Sequence, residues 1–556
     1  MWVHSCDNGT LESQTSYTDS SIGEEADATS NTVSGDDIVE FATRATWKAL
    51  FLQNFDPWKF RPRDWQEPSP VSADALYLSR INLGLLGTDP ANIARPLAGE
   101  VDESYSLSVT QQGVATISAN TSIGLSRSLT TFTQLFYAHS DQQNVYTPLA
   151  PVSIFDAPRF AHRGLNLDVS RSYYPVSDIK RQISACAYTK MNRFHLHATD
   201  SQAWPLEIPS LPSVSERGAY RPHLVYSKDD FAHLQRYAAL QGVEMITEID
   251  MPGHTSSIAY SFPELIAAFN MQPDWTVYAN DPPSGTLKLN SPAVRTFIQT
   301  LFNGVLPRVQ PFSSYFHTGG DEVNVNAYLL DETVKSNDSA VLTPLMQAFI
   351  DHAHGLIRAQ GLAPIVWEEM LLKWKLNLAS DVVVQAWRSS KSVADIVATG
   401  HKVIAGNYDF WYLSCGTGQY INYAPSVSAR YWPFTDYCAP FKNWRVIYSY
   451  DPLAGVPSAQ QHLVIGGEAH MWSQQVDPMN VDQMVWPRAA AAAEVLWSGA
   501  KDEHGRNRSY FDAAPRLSEM RERLVARGVR ATVIQIPYCT RDGIVCQRGY
   551  DGMGDE

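Results

Sequence analysis

The stretch YFHTGGDE, residues 315–322, sets a short apolar run against two glycines and two adjacent carboxylates, Asp321 and Glu322. Like charges repel, and a strand sends neighbouring side chains to opposite faces. Read alone, the stretch fits a solvated turn as well as it fits a site. Its plan recurs, however, along most of the chain. In order after Pro158, the runs are RGLNLDVSR (163–171), RFHLHATD (193–200), EMITEIDMPGH (244–254), YFHTGGDE itself, APIVWEE (363–369), VVVQAW (382–387), KVIAGNYDFWY (402–412) and HLVIGGEAHMW (462–472). Each is apolar, each ends in polar or aromatic residues, and helical segments separate them. Eight strands alternating with helices predict an α/β fold, a (β/α)8 TIM barrel. Helices such as MVWPRAAAAAEVLW (484–497) furnish the outer ring, the alanines permitting close packing and favouring helix.

In such barrels the active site lies at the C-terminal ends of the strands. Here those ends carry Asp168, Asp200, His254, Asp321, Glu322, Trp367, Trp387, Tyr412 and Trp472. A packed barrel needs none of these at its rim. Where the fourth run ends, Gly319 and Gly320 free the backbone from strict alternation, so both carboxylates can face the barrel mouth. Their roles can then differ, because a desolvated carboxyl stays protonated and a hydrogen-bonded one stays ionised.

The chain has 556 residues, enough for one large domain with smaller ones attached, and its 44% hydrophobic content fills a large core. A net charge of -15 argues against nucleic acid or an anionic membrane as partner. The 15 Trp and 26 Tyr fit ring stacking on sugars as well as core packing. No apolar run is long enough to span a membrane, and the start, MWVHSCDNGT, lacks the basic and apolar regions of a leader. Glycosylation sequons nevertheless stand at Asn8, Asn120, Asn337 and Asn507. Cys415 and Cys438 flank one loop, and Cys539 and Cys546 flank another; both pairs read as local disulfides. These features predict a secreted, extracellular protein whose leader is not in this sequence. Cys186 reads as a buried thiol on a helix, and Cys6 as a free thiol.

Residues 1–40 are polar and read as a mobile tail. Residues 41–157 read as a small α+β domain: SYSLSVTQQGVATISA (104–119) alternates like a hairpin, and Leu125, Leu129, Phe132 and Phe136 repeat at helical spacing. The barrel then occupies 158–500, and 501–556 forms a C-terminal extension with the second disulfide loop.

HTGGDEVN (317–324) resembles the signature of glycoside hydrolase family 20, the β-N-acetylhexosaminidases. HRGLNLDVSR, MNRFHLHATDSQAWPLEI, EIDMPGHT, VWEE, WYLSCG, GGEAHMW and WPRAAAAAEVLWS resemble further blocks of that family in its order, across most of residues 150–500. DESYSLSV resembles the domain that precedes the barrel, and the whole is most similar to the secreted fungal branch. Two neighbouring carboxylates cannot easily flank a glycosidic bond at the ~5–9 Å used by two-carboxylate glycosidases. The resemblance implies a substrate-assisted reaction instead, in which the sugar's 2-acetamido oxygen attacks the anomeric carbon and forms an oxazolinium.

The resemblance further implies roles. Glu322 is the general acid and then the base, Asp321 orients the acetamido N–H, and Tyr412 donates to the acetamido carbonyl. Trp367, Trp387 and Trp472 wall the pocket, Arg163 forks onto sugar hydroxyls, and Asp200 with His254 forms a relay toward Glu322. His195, His197 and His470 read as structural; Glu248, Asp250, Glu368 and Glu369 lie outside the reacting centre. No metal-ligand spacing is present, and neither metal nor other cofactor is expected. The partner implied is a carbohydrate with a terminal N-acetylhexosamine, and a homodimer is common in the resembling branch.

Two positions depart from the pattern. Many relatives carry Asp where this chain has Ser414, and Glu where it has Gln474, both gripping the sugar's outer hydroxyls. The neutral groups predict weaker hold on the plain sugar, by up to roughly 1–2 kcal/mol, and more tolerance of a 6-O-modified one such as a sulfate. The leading reading is an exo-acting, retaining β-N-acetylhexosaminidase on chitin fragments or glycan ends. Alternatives are a disaccharide-releasing or galactosamine-selective member, a two-carboxylate barrel glycosidase, and a carbohydrate-binding protein without catalysis.

Overall fold

The computed structural model describes residues 1–4, 32–70, 76–541 and 546. They divide into two compact units, one of Ala94–Glu100 with Arg159–Ala500 and one of Met1–Ile93, Val101–Pro158 and Lys501–Glu556.

In the larger unit all eight expected runs are strands: β1 (His162–Asp168), β2 (Arg193–His197), β3 (Glu244–Glu248), β4 (Tyr315–His317), β5 (Ala363–Trp367), β6 (Val383–Ala386), β7 (Val403–Ala405) and β8 (Val464–Met471). They close a barrel in the order β3-β4-β5-β6-β7-β8-β1-β2, every neighbouring pair parallel. Helices cover the outside, so both strand faces are buried and the runs are nearly continuous in apolar residues. The helix expected at 484–497 is shorter at its start. Pro487 lacks an N–H and separates a turn at Val481–Val485 from the helix Arg488–Ser498. Cys186, on the helix Val176–Tyr188, is a fully buried thiol.

Two layers fill the barrel interior. Ile246, Tyr315, Ile365, Val383, Ile404 and Ile465 pack together toward the strand starts, with Leu97 and Ala98 against them. The Ala98 N–H donates to the Tyr315 hydroxyl at 2.9 Å. Residues 94–100 therefore belong with the barrel, where an apolar layer needs a cover, and not with the small domain as their position before 157 suggested. Nearer the strand ends, His195, Glu248, His317, Gln385, Glu468 and His470 are fully buried. Charge so far from water persists only when paired and hydrogen-bonded. Gln385 Nε2 accordingly lies 2.8 Å from Glu468 Oε2 and 2.9 Å from His470 Nε2.

The smaller unit holds a four-stranded sheet ordered Arg80–Leu85, Val114–Ala119, Tyr105–Val109, Val152–Asp156. The expected hairpin is its antiparallel centre, and the helix Ser122–Gln134 buries Leu125, Leu129 and Phe132. The segment after 500 is part of this unit. Arg523, on the helix Tyr510–Ala526, donates to the carbonyls of Thr133 and Gln134 at the end of the earlier helix and of Phe136 just past it. The expected polar tail of residues 1–40 lies largely outside the described residues, and both of its ends carry regular structure. Trp2–His4 pairs with Asn144–Tyr146, and a helix starts at Gly35, where Ser34 and Asp37 form a capping box that average polarity conceals. Both disulfides are formed, Cys415–Cys438 and Cys539–Cys546. Asn120, Asn337 and Asn507 are exposed, whereas Asn8 and Cys6 lie outside the described residues.

Candidate active site

Past β4 the backbone enters the left-handed region twice in succession, at Gly319 (φ 65°) and Gly320 (φ 102°). A Cβ at Gly319 would stand 1.8 Å from Asp250 Oδ1, and one at Gly320 would stand 2.7 Å from Met370 Cγ. Only glycine fits either place. The turn lets the Gly320 N–H donate to Asp250 Oδ1 at 2.8 Å. Glu322 is itself left-handed, at φ 50°, as is His254 at φ 54°. Each such residue costs of order 1–3 kcal/mol, a strain that concentrates at working sites. As a result Asp321 and Glu322 both face one cavity of about 530 Å³, a size suited to a small ligand.

His254 is the hub of that cavity. Its Nδ1 lies 3.1 Å from Asp200 Oδ1, and its Nε2 lies 3.5 Å from Glu322 Oε2 and 3.7 Å from Asp321 Oδ2. Asp200 is fixed in turn by Arg171 at 2.8 Å and His197 at 2.7 Å. The contacts continue through the barrel interior. His197 bonds Glu248, Glu248 is 3.0 Å from His195, His195 is 3.0 Å from Glu468, and Glu468 is 2.7 Å from His162. Histidines and carboxylates alternate along this column from the start of β1 to the cavity.

Electrostatics follows from the alternation. Burial opposes charge on His254, but Asp200 and Asp321 prevail and hold its imidazole well above the usual range. Burial likewise opposes charge on Asp200, and Arg171, His254 and His197 hold it well below. Glu322 stays below its ordinary value despite burial, through the hydrogen bond and charge of His254 with help from Asn280 and Arg171. Asp321 behaves oppositely. Burial and the like charge of Asp250 push it well above the usual carboxylate range. Asp250 is pushed up to about 6. The two adjacent carboxylates are thus biased in opposite directions, Asp321 toward its protonated form and Glu322 toward its ionised one.

Aromatic rings form the opposite wall. Tyr412 stacks on Trp387 at 6.1 Å between centroids and meets Trp472 at 6.1 Å. Trp387 Nε1 donates to Glu369 Oε2 at 3.0 Å. Trp367 lies behind this lining, 6.0 Å from Trp472, its Nε1 donating to Glu248 Oε1 at 2.7 Å. Burial keeps the Tyr412 phenol protonated, hence a hydrogen-bond donor. The Cys415–Cys438 disulfide packs into the same cluster and ties down the loop that carries Tyr437 to the cavity.

Asp321, Glu322, Tyr412, His254, Asp200, Trp387, Trp472, Ser414 and Gln474 thus line one cavity. Arg163 does not. It is the second residue of β1, buried, with Nε donating to the Lys190 carbonyl at 2.9 Å and Nη1 to the Phe160 carbonyl at 2.8 Å. A residue at the start of a barrel strand cannot reach the mouth. The arginine that lines the cavity is Arg171, the last residue of the same motif, bonded to Asp200 and lying 3.5 Å from Asp281. The rule that strand C-termini carry the site selects Arg171 over Arg163. Asp281 and Asn280 had no such signal, because they sit on a loop without periodicity. Two trios converge in space with metal-like spacing, His195–Glu248–His317 and Asp250–His254–Asp321, though no sequence spacing announces them.

The family model for the catalytic domain of glycosyl hydrolase family 20 matches residues 160–500, and one described as beta-acetyl hexosaminidase like matches 5–135. A beta-hexosaminidase of Arthroderma benhamiae is 44% identical over 518 residues, covering 90% of this chain and 83% of the relative. A beta-hexosaminidase of Emericella nidulans is 32% identical over 510 residues, covering 86% and 84%. Among solved structures, the Flavobacterium johnsoniae chitobiase superposes with a TM-score of 0.66 at 26% identity, over 90% of this chain and 69% of its own.

Proposed function

The chain belongs to glycosyl hydrolase family 20, glycoside hydrolases of the β-N-acetylhexosaminidase kind, and from that premise we propose that it releases terminal β-linked N-acetylhexosamine with retention, by substrate assistance. The observation that carries the reading is the meeting of Asp321, Glu322 and Tyr412 in one aromatic-walled cavity.

In the first step the acetamido carbonyl oxygen attacks the anomeric carbon as the bond to the leaving oxygen breaks. Glu322 gives that oxygen its proton. Asp321 accepts the acetamido N–H and balances the positive charge of the oxazolinium, and Tyr412 holds the carbonyl. Water then adds to the anomeric carbon as its bond to the acetamido oxygen breaks, restoring the acetamido group and returning a proton to Glu322, so one water is consumed and configuration is retained. Holding the nucleophile within the substrate supports effective molarities of roughly 10⁵–10⁸ M.

The fold biases Asp321 toward its protonated form and Glu322 toward its ionised one, the reverse of what this step needs. A bound acetamido N–H favours ionised Asp321, and a leaving oxygen against Glu322 favours its protonated form. Substrate binding thus works against the bias on both carboxylates.

Initial rates on an aryl β-N-acetylglucosaminide and the matching β-glucoside test the reading. Hydrolysis of only the first supports it; comparable rates on both overturn substrate assistance. Replacing Glu322 with Gln separates a hydrolase from a binding protein, since only the hydrolase loses its function.

Exposed Asn120, Asn337 and Asn507 together with two disulfides support a secreted glycoprotein. The name of an Ostrinia furnacalis relative, a chitooligosaccharidolytic beta-N-acetylglucosaminidase 30% identical, supports chitin fragments as substrate. Tolerance of 6-O-modified sugars is a second reading. Neutral Ser414 and Gln474 in the cavity favour it, and Asp281 beside Gln474 works against an anionic substituent. If the Ser414→Asp, Gln474→Glu variant keeps the wild-type preference ratio, that reading is dead.

A further inference from the structure

Asp281 stands on the loop between the turn Trp275–Val277 and the strand Thr286–Leu287, and it lines the cavity. The loop is held on both sides of it. Asn280 hydrogen-bonds Glu322, and Gln202 Nε2 donates to the Pro282 carbonyl at 2.8 Å. Gln202 also accepts from Arg171 Nε at 3.0 Å, so loop, arginine and general acid form one frame.

The Asp281 carboxylate has more acceptor capacity than this frame uses. Oδ1 accepts from the Tyr420 hydroxyl at 2.6 Å, and Oδ2 accepts from Gln474 Nε2 at a long 3.3 Å. Arg171 Nη2 is 3.5 Å from Oδ2, beyond a hydrogen bond. A carboxylate offers about four lone-pair sites, so a further donor fits each oxygen. Nor does Arg171 need Asp281 for neutrality, since Asp200 at 2.8 Å and Asp168 at 3.4 Å already oppose its charge. Every partner of Asp281, namely Arg171, Tyr420 and Gln474, lines the cavity too. A surplus acceptor beside a guanidinium is the pairing that holds a sugar hydroxyl, which donates to one and accepts from the other.

We propose that Asp281 is a specificity-determining residue that accepts a hydrogen bond from an outer hydroxyl of the terminal sugar, supplying from a neighbouring loop the carboxylate that Ser414 and Gln474 do not provide. The proposal rests on the exo-hexosaminidase reading above. It makes the negative charge at this edge a matter of position: it comes from the third βα loop, and Gln474 is neutral because a carboxylate there would face Asp281.

The test compares wild type with Asp281→Asn on an aryl β-N-acetylglucosaminide and on its 3-deoxy, 4-deoxy and 6-deoxy analogues. Asp281 is 20% exposed, so the isosteric change should leave the Tm unaltered. Losing a charged acceptor should lower kcat/KM on the parent by roughly ten- to a hundredfold, mainly through KM. One deoxy analogue should cost wild type a similar factor and cost Asp281→Asn nothing further. The Asp281→Asn, Gln474→Glu variant should recover much of the loss, because the charge is restored across the same gap. The proposal is overturned if Asp281→Asn stays within twofold of wild type on the parent. Equal penalties on the parent and all three analogues overturn it too. So does wild-type indifference to all three missing hydroxyls, whatever the variant does. Wild-type silence on the parent glycoside defeats the functional reading itself, an outcome distinct from the others.

Discussion

Exchange of Gly319 for Ala tests whether the turn after β4 is what makes adjacent carboxylates usable. The residue sits at φ 65°, where a side chain costs roughly 1–2 kcal/mol. The new methyl would stand 1.8 Å from Asp250 Oδ1 and 2.8 Å from the Asp250 Cα. Because backbone is among the atoms met, rotating the Asp250 side chain cannot relieve the contact. The two chains must part by more than ~1 Å to reach ordinary separation. That breaks the 2.8 Å bond from the Gly320 N–H to Asp250 and leaves a buried carboxyl without its donor, at about 1–3 kcal/mol. The expected loss is therefore about 2–5 kcal/mol, read as a lower Tm by thermal scanning. The same shift moves Asp321, and a misplacement of ~1 Å costs on the order of 100-fold in kcat. Initial rates on the aryl N-acetylglucosaminide measure it. A Gly319→Ala protein with wild-type Tm and kcat within a fewfold would refute the argument.

Other expectations follow from the same geometry. Glu322→Gln should lower kcat by roughly 10²–10⁴ while KM changes little, because the amide cannot transfer a proton; a rise in KM with kcat unchanged would point to lost binding instead. Arg163→Met should lower the Tm by removing the donors to the Phe160 and Lys190 carbonyls while leaving KM unchanged, whereas Arg171→Met should raise KM; the reverse outcome would restore Arg163 to the pocket. His195, opposed by burial but surrounded by Glu468 and Glu248, is pushed up to about 9 from 6.5. A raised folded value contributes stability in full below 6.5 and loses it as pH climbs through the folded value. The Tm should thus decline between pH 6.5 and about 9, and a flat Tm across that window would contradict the assignment.

The barrel was legible because each strand is buried on both faces and announces itself as a continuous apolar run with a chemical ending. The lining of the cavity was legible wherever a side chain belongs to such an ending, as for Asp200, His254, Asp321, Glu322, Tyr412 and Trp472. Arg163 shows the limit: two arginines bracket one strand, and motif likeness does not say which end of the strand faces the mouth. Strand direction does say it, and it favours Arg171. Asp281 lies beyond either signal, since its position depends on a loop held by Gln202 and Asn280, contacts with partners far along the chain. The capping box at Ser34 was readable and was hidden by the polarity of the segment around it.

The column of histidines and carboxylates inside the barrel gives this enzyme a remote adjustment. The charge on His254 depends on Asp200, Asp200 answers to His197, and so on down to Glu468 and His162 at the far end of the sheet. A directed-evolution campaign for activity at a different acidity could leave the pocket untouched and still reach it. Changes there would have to come in matched pairs, since removing one member strands its neighbour's charge in a dry interior. Libraries that vary His195 together with Glu468 would retain folded clones that single-site libraries discard.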